Sequence, residues 1–498
     1  MSLAQPPAGI RRQGANMNIG RIIMEQTAGL RNWQRVLIVI MGGFILGGMW
    51  RIRGDAGFGS FWGMLCVSLA YCLFLVSVLG ERKKMNYILL PLLVVSMPVT
   101  VNGWGTLNLQ PAGILNGALD GATDNIFCSP VSGVFIMLCL GFCWLPFFAF
   151  LMGRYFSARQ YRLRDFLLVT GIYFTVKYLF MATLAHPVLQ AACGDANRLF
   201  IKGLAENGIA GNPWAVYLQH FNDAGWAKLI VGGRNYFTTV NILSSVAGTL
   251  TVMGTVLFIF KDKITAKLMF LICSSLAVSI LAADIFNILG SGGYHLNTYS
   301  PPQWLMNNAW GYWEYFTGFF AGLLITAILA VQDKKSAGKN ADTCEKLPRL
   351  ESNKWGLILY SLAVLCAGAL SSGAVRAVQS RLAEHGIFSE EGISGTIVIP
   401  VLAVPAVFIF SVILYRNIIK KNLGQPFNAP LKIFALAATP VIFSIFVFTD
   451  LCIGYTCWDE PSRFGINFLV WLSLAVAVTG YAVLRKTLKG SVSAGGNK

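Results

Sequence analysis

Residues 236–288 read YFTTVNILSSVAGTLTVMGTVLFIFKDKITAKLMFLICSSLAVSILAADIFNI: two long apolar runs parted only by the basic turn Lys261-Asp262-Lys263. In hydrocarbon, backbone amides must pair within their own segment, so each run is expected as a helix of about 20 residues. The pattern recurs along the chain. Spans are expected near 35–50, 59–80, 86–102, 131–152, 166–186, 236–260, 266–288, 313–332, 355–373, 394–415, 431–450 and 464–484. The fold class is therefore an all-α integral membrane protein, a polytopic bundle of about twelve transmembrane helices. The stretch 103–130, with Pro111, Pro130 and several glycines, is read either as a loop or as a re-entrant segment.

Composition supports lipid as the solvent. Apolar residues make up 55% of the chain and charged ones 12%, with a mean hydropathy of +0.61. A soluble domain carries about twice that charge fraction. The formal charge of +17 does not read as nucleic-acid binding, because the basic residues fall in short runs between apolar segments. The first 31 residues are polar and basic without an early apolar core, so no secretory signal is expected there.

Charge distribution gives the bundle a direction. With both ends cytoplasmic, the inner segments hold Glu81 to Lys84, Arg154 to Asp165, Lys261 to Lys263, the linker 333–354, Arg416 to Lys421 and the tail from Arg485. That arrangement puts 29 of the 39 basic residues inside and 14 of the 22 acids outside. The positive-inside bias predicts an N-in, C-in protein of a cytoplasmic (inner) membrane. No N-x-S/T sequon occurs, which favours a bacterial source. The expected organisation is a basic segment 1–34, an eight-span bundle 35–332 with long outer loops, the linker 333–354, a four-span bundle 355–487 and a tail 488–498. Eight plus four is not the six-plus-six division of a major-facilitator transporter, and no internal repeat is evident.

The outer face holds the polar chemistry. All four histidines (His186, His220, His295, His385) map there, with most of the tryptophans. The most distinctive stretch is Trp50-Arg-Ile-Arg-Gly-Asp-Ala-Gly-Phe-Gly-Ser60. Its two arginines run against the charge trend, so a counter-charge is expected: Asp55 nearby, or the acids Asp450, Asp459 and Glu460. Arginine's planar fork suits phosphate or carboxylate. Arg51, Arg53 and Asp55 are therefore candidates to bind an anionic group, against the alternative of a tight turn with arginines reaching lipid headgroups. A second candidate surface holds His295, Trp304, Trp313 and Glu314, a density of rings and polar groups that suits a sugar or polar headgroup as well as an interfacial belt. Glu314 is also weighed as a general base.

Lys177 and Asp284 fall inside expected spans. A charge facing lipid costs about 2.5–3.5 kcal/mol, so both should face the bundle interior, as an ion-coupling or buried pair. His220 and Asp223 stand three apart, too little alone for a metal site, and no metal is expected. Cys452 and Cys457 form either a local disulfide or free thiols. With no Walker loop, no G-x-S-x-G elbow and no dinucleotide fingerprint, no cofactor is expected. Three functions follow as expectations. The first is a transporter or flippase with an outward-facing polar site for an anionic or polar substrate. The second is a membrane-embedded transferase acting on a lipid-linked substrate at the outer leaflet. The third is a non-catalytic assembly or sensor protein. The expected partners are membrane lipids and an anionic, sugar-like or lipid-linked small substrate, and not nucleic acid.

Overall fold

A computed structural model describes residues 32–55, 61–79, 89–98, 130–220, 224–290, 302–306, 308–337, 436–444 and 464–495. Among them every element is helical and no strand occurs. Six helices are long and apolar enough to cross a membrane, and a bent pair makes a seventh if it is one span. The twelve spans expected from the apolar runs are thus not reached within the described residues. The expected spans 355–373 and 394–415 lie outside them. The expected span 59–80 forms a shorter apolar helix, α2 (Phe61–Leu79), and 86–102 contributes α3 (Leu89–Ser96).

The first span, α1 (Asn32–Asp55), is the hub. It packs on α2, on α14 (Ala309–Ala337) and on α15 (Phe464–Gly495). Glycines explain the closeness to α14. A methyl at Gly318 would fall 2.6 Å from the Leu46 carbonyl oxygen, and one at Gly47 would fall 3.1 Å from that of Tyr315. Gly43/Gly47 and Gly318/Gly322 are small residues four apart on facing helices, the spacing that lets two backbones touch in an apolar bundle. Gly47 lies against Tyr315 and Phe319, whereas Gly42 lies against Gly322 and Thr326, so the two helices run antiparallel. Arg35 therefore shares an end with Lys334 and Lys335. On its other flank α1 meets α15 through Gly48 at Ser473 and Met41 at Gly480. Ser473 Oγ also lies 2.9 Å from Tyr315 Oη, which ties α15 to α14.

The remaining helices form a second cluster joined to the hub by α11 (Lys263–Ala283), which packs on α14, α4 (Pro130–Trp144) and α5 (Pro146–Phe156). The α4–α5 pair bends by 57°. The bend sits where Pro146 lacks an N–H and its ring crowds the preceding turn. Next come α6 (Leu163–Thr183), α7 (Ala185–Glu206), α8 (Pro213–Gln219), α9 (Ala224–Leu229) and α10 (Gly233–Gly254), the last running on through a π turn Thr255–Ile259. The stretch 187–235 reads as a long loop in sequence but is mostly helical. Its buried residues Leu189, Cys193, Ala196, Phe200 and Leu204 recur every three or four positions. Interspersed polar residues keep this stripe from registering as an apolar run.

The basic turn of the opening stretch is built around Asp262. This residue caps α11, accepting from the Thr265 amide at 3.0 Å and the Thr265 hydroxyl at 2.6 Å, while the Tyr161 hydroxyl donates at 2.7 Å. Burial alone would raise the carboxyl's pKa; hydrogen bonds from Ser157, Thr265 and Tyr161 outweigh it and hold the value below the ordinary range. Beyond α11 the chain breaks at Asp284 and continues as α12 (Ile285–Gly290), then α13 (Gln303–Met306) leads toward α14.

Candidate functional site

Arg51 and Arg53 lie in the last two turns of α1, and both side chains are buried. Burying two guanidiniums in an apolar bundle demands a counter-charge. Glu314, in the first turns of α14, supplies it to both. Its Oε2 lies 3.0 Å from Arg51 Nη1 and its Oε1 lies 3.6 Å from Arg53 Nη2. The antiparallel glycine seam is what brings these residues level, 263 positions apart in the chain. Gly311 completes the fit, since a methyl there would sit 2.8 Å from Arg51 Cζ.

Around the ion cluster the walls are aromatic. The Arg53 guanidinium stands 5.0 Å from the Trp50 ring centre, and its Nη1 points at Met64 Sδ at 3.7 Å. Trp50 lies 5.9 Å from Trp144 on α4. Trp313 is 3% exposed and donates from Nε1 to the Ile280 carbonyl oxygen at 3.3 Å. Tyr312 stacks with Phe286 at 5.8 Å. Among the described residues the cluster sets two arginines against one glutamate. Arg53 Nε and Trp50 Nε1 are buried donors with no hydrogen-bond partner among the described residues. Buried donors of this kind beside guanidiniums are the chemistry that holds an anion.

The structure therefore brings together three of the sequence candidates, Arg51, Arg53 and Glu314, while the adjacent residue in the chain, Trp313, is buried against Ile280. Among the described residues the counter-charge is Glu314. Asp55 ends α1, but its side chain lies outside the described residues, as do His295, Asp450, Asp459 and Glu460. Trp304 is 50% exposed and packs edge-on against Tyr312 at 5.5 Å, at the rim. Trp50, Met64, Trp144 and Gly311 are site residues that sequence reasoning did not assign. For Trp50 the signal was its place beside Arg51; for the other three nothing local marked them.

Lys177 on α6 and Asp284 at the α11–α12 break are buried, at 2% and 1% exposure. They do not form the pair expected. Asp284 Oδ1 accepts from Asn287 Nδ2 at 3.3 Å. Lys177 Nζ stands 5.7 Å from the Tyr178 ring centre and takes part in no ion pair among the described residues. The spans carrying them face different neighbours, α6 packing mainly on α10 and α11 mainly on α14, α4 and α5.

Two described histidines sit in aromatic packing. His186 Nδ1 lies 2.6 Å from Tyr236 Oη and its ring stacks 5.7 Å from Trp214, while burial lowers its pKa. His220 stacks flat on Trp226 at 3.7 Å. Asp223, its expected neighbour, lies outside the described residues. Among the described residues no group of three metal-ligating side chains comes together.

The fold and site define an all-helical chain with several apolar helices, consistent with a membrane protein, bearing a buried arginine–glutamate cluster at one end of its hub. Comparison with family models, curated proteins and solved structures returned no match.

Proposed function

We propose that the chain is a multi-pass transporter or flippase of a cytoplasmic membrane, with about twelve spans, both ends cytoplasmic and a polar site that opens outward. The site takes the anionic group of a polar or lipid-linked substrate. The observation that carries this reading is the Arg51–Glu314–Arg53 cluster, whose two buried guanidiniums share a single carboxylate. The buried donors Arg53 Nε and Trp50 Nε1 face no partner among the described residues, and the Trp50 ring supplies apolar surface beside Arg53. The alternative, a transferase acting on a lipid-linked substrate at the outer leaflet, draws on the same anion recognition. Glu314 fits it less well, because both its oxygens are already engaged by Arg51 and Arg53.

Native mass spectrometry of the full chain purified from its expression membranes tests the reading. Wild type should retain an anionic small molecule or lipid that Arg53→Gln loses. Equal retention by both, or no anionic species on either, would overturn it. Reconstituting the protein with the retained species then separates the two functions. Recovery of that species unaltered on the far side of the vesicle marks transport, and chemical alteration marks a transferase.

A further inference from the structure

We infer that the bundle contains a second anion site, deep between α6 and α10, with Lys177 at its centre and a small monovalent anion or a solute carboxylate as its ligand. It is independent of the Arg51 cluster and does not rest on the transport reading.

Two helix stripes face each other there. On α6 the buried positions Val169, Tyr173, Lys177 and Met181 recur every four residues, one face of the helix. On α10, Asn241, Ser245 and Gly248 fall at i, i+4 and i+7, also one face. The faces meet at Gly248, where a methyl would sit 2.9 Å from the Tyr173 carbonyl oxygen. One turn further along α6 and one turn back along α10, Lys177 comes level with Ser244 and Ser245. Cys143 of α4 closes the third side. It lies within electrostatic reach of Lys177 and beside Ser245, and α4 is held to α10 by the Thr249 hydroxyl donating to the Phe142 carbonyl oxygen at 2.7 Å.

The chemistry of this pocket of side chains is one-sided. Lys177 is 2% exposed, and no described carboxylate pairs with it. Asn241 Oδ1 is buried with no hydrogen-bond partner among the described residues, and the buried Tyr173 and Ser245 hydroxyls lie beside each other. A hydroxyl donates as readily as it accepts, and an amide turned by 180° offers N–H₂ in place of its oxygen. The ammonium, two hydroxyls and an amide therefore lie on one packed seam with no described carboxylate beside Lys177. Lys177 stands about 14 residues from the start of α6 and about six, or about 9 Å, from its end, yet it is 2% exposed. A buried ammonium needs a partner, and a small anion beside it would also accept from the neighbouring hydroxyls.

The test uses the full chain in detergent at constant ionic strength, with isethionate, a bulky sulfonate, as the reference anion. Exchanging isethionate for chloride or for acetate should raise the thermal midpoint of wild type by about 3 °C. A response to chloride alone assigns the site to an inorganic ion. A response to acetate assigns it to a carboxylate. In Lys177→Met the anion dependence should vanish. Asn241→Asp places a fixed carboxylate on the facing stripe, so it should raise the midpoint in isethionate and abolish the response to added anion. Two results overturn the proposal: no anion response in wild type, or a response that persists undiminished in both variants.

Discussion

Replacing Glu314 by glutamine removes the only carboxylate described between Arg51 and Arg53 while keeping the side chain's shape. At an effective dielectric of about 20, the 3.0 Å and 3.6 Å contacts are each worth roughly 5 kcal/mol of gross attraction. Repulsion between the two guanidiniums and the desolvation of all three groups cancel much of this. Stripping one partner from a buried pair costs about 3–5 kcal/mol, because the charge left behind stays buried. With side chains 15% or less exposed, solvent screening takes little from that figure. Glu314→Gln should therefore lose about 4 kcal/mol, and Arg51→Gln, which breaks the 3.0 Å contact, about 3 kcal/mol. Arg53→Met behaves differently, because it leaves Arg51 and Glu314 paired and removes the second guanidinium; it should cost under about 1 kcal/mol or stabilise. In Glu314→Gln the same Arg53→Met change should recover part of the loss. SDS titration in mixed micelles, followed by a thiol-reactive dye that reads the buried Cys139, Cys143 and Cys273, gives the differences. If Glu314→Gln changes stability no more than a surface substitution, or Arg53→Met costs as much as Arg51→Gln, the account of one carboxylate shared by the two arginines is wrong.

Further outcomes follow from other parts of the fold. Gly318→Ala should destabilise by about 1–3 kcal/mol, since the added methyl meets the Leu46 carbonyl and the Trp50 Cβ. Gly171→Ala, on an open face of α6 with nothing within 4 Å, should instead gain about 0.5–1 kcal/mol from helix propensity; the same unfolding titration compares them. Asp262 has a folded pKa below its unfolded value, so the stability it contributes is fully present above about pH 4 and is lost as pH falls through the folded value. Asp262→Asn should cost about 2 kcal/mol at pH 7 and flatten the dependence below pH 4, measured by unfolding at a series of pH values. Reporter fusions at positions 210 and 340 should report outside and inside respectively. Signals on the same side, or reversed, would refute the orientation.

Helicity and the main apolar spans were legible because their evidence is local: a run of apolar residues and a basic turn such as Lys261 to Lys263 each signal within a few positions. Burial of Lys177 and Asp284 also followed locally, from the cost of a charge in lipid. Their partners did not follow, because pairing depends on which helices pack together. Nothing near Arg51 in the chain points to Glu314. The faint long-range signal was a pair of glycine patterns, Gly43/Gly47 and Gly318/Gly322, matched in spacing and far apart in sequence. The helices α7 to α9 were hidden for a different reason. Their buried stripe is separated by polar residues, so hydropathy averaged over a window reads them as loop, whereas the three-to-four periodicity of Leu189, Cys193, Ala196 and Phe200 shows them.

The glycine seam between α1 and α14 also sets an order of events at the ribosome. The helix α1 has its closest packing partner some 260 residues later, and another in α15. Until α14 emerges, α1 presents bare backbone grooves and two arginines without their carboxylate. At elongation rates of about 5–20 residues per second that interval lasts tens of seconds. The nascent protein thus needs the insertion machinery, or another membrane protein, to shield α1 for that time. Chains truncated before Glu314 should be recognised as orphans and degraded, while those ending just after α14 should survive longer.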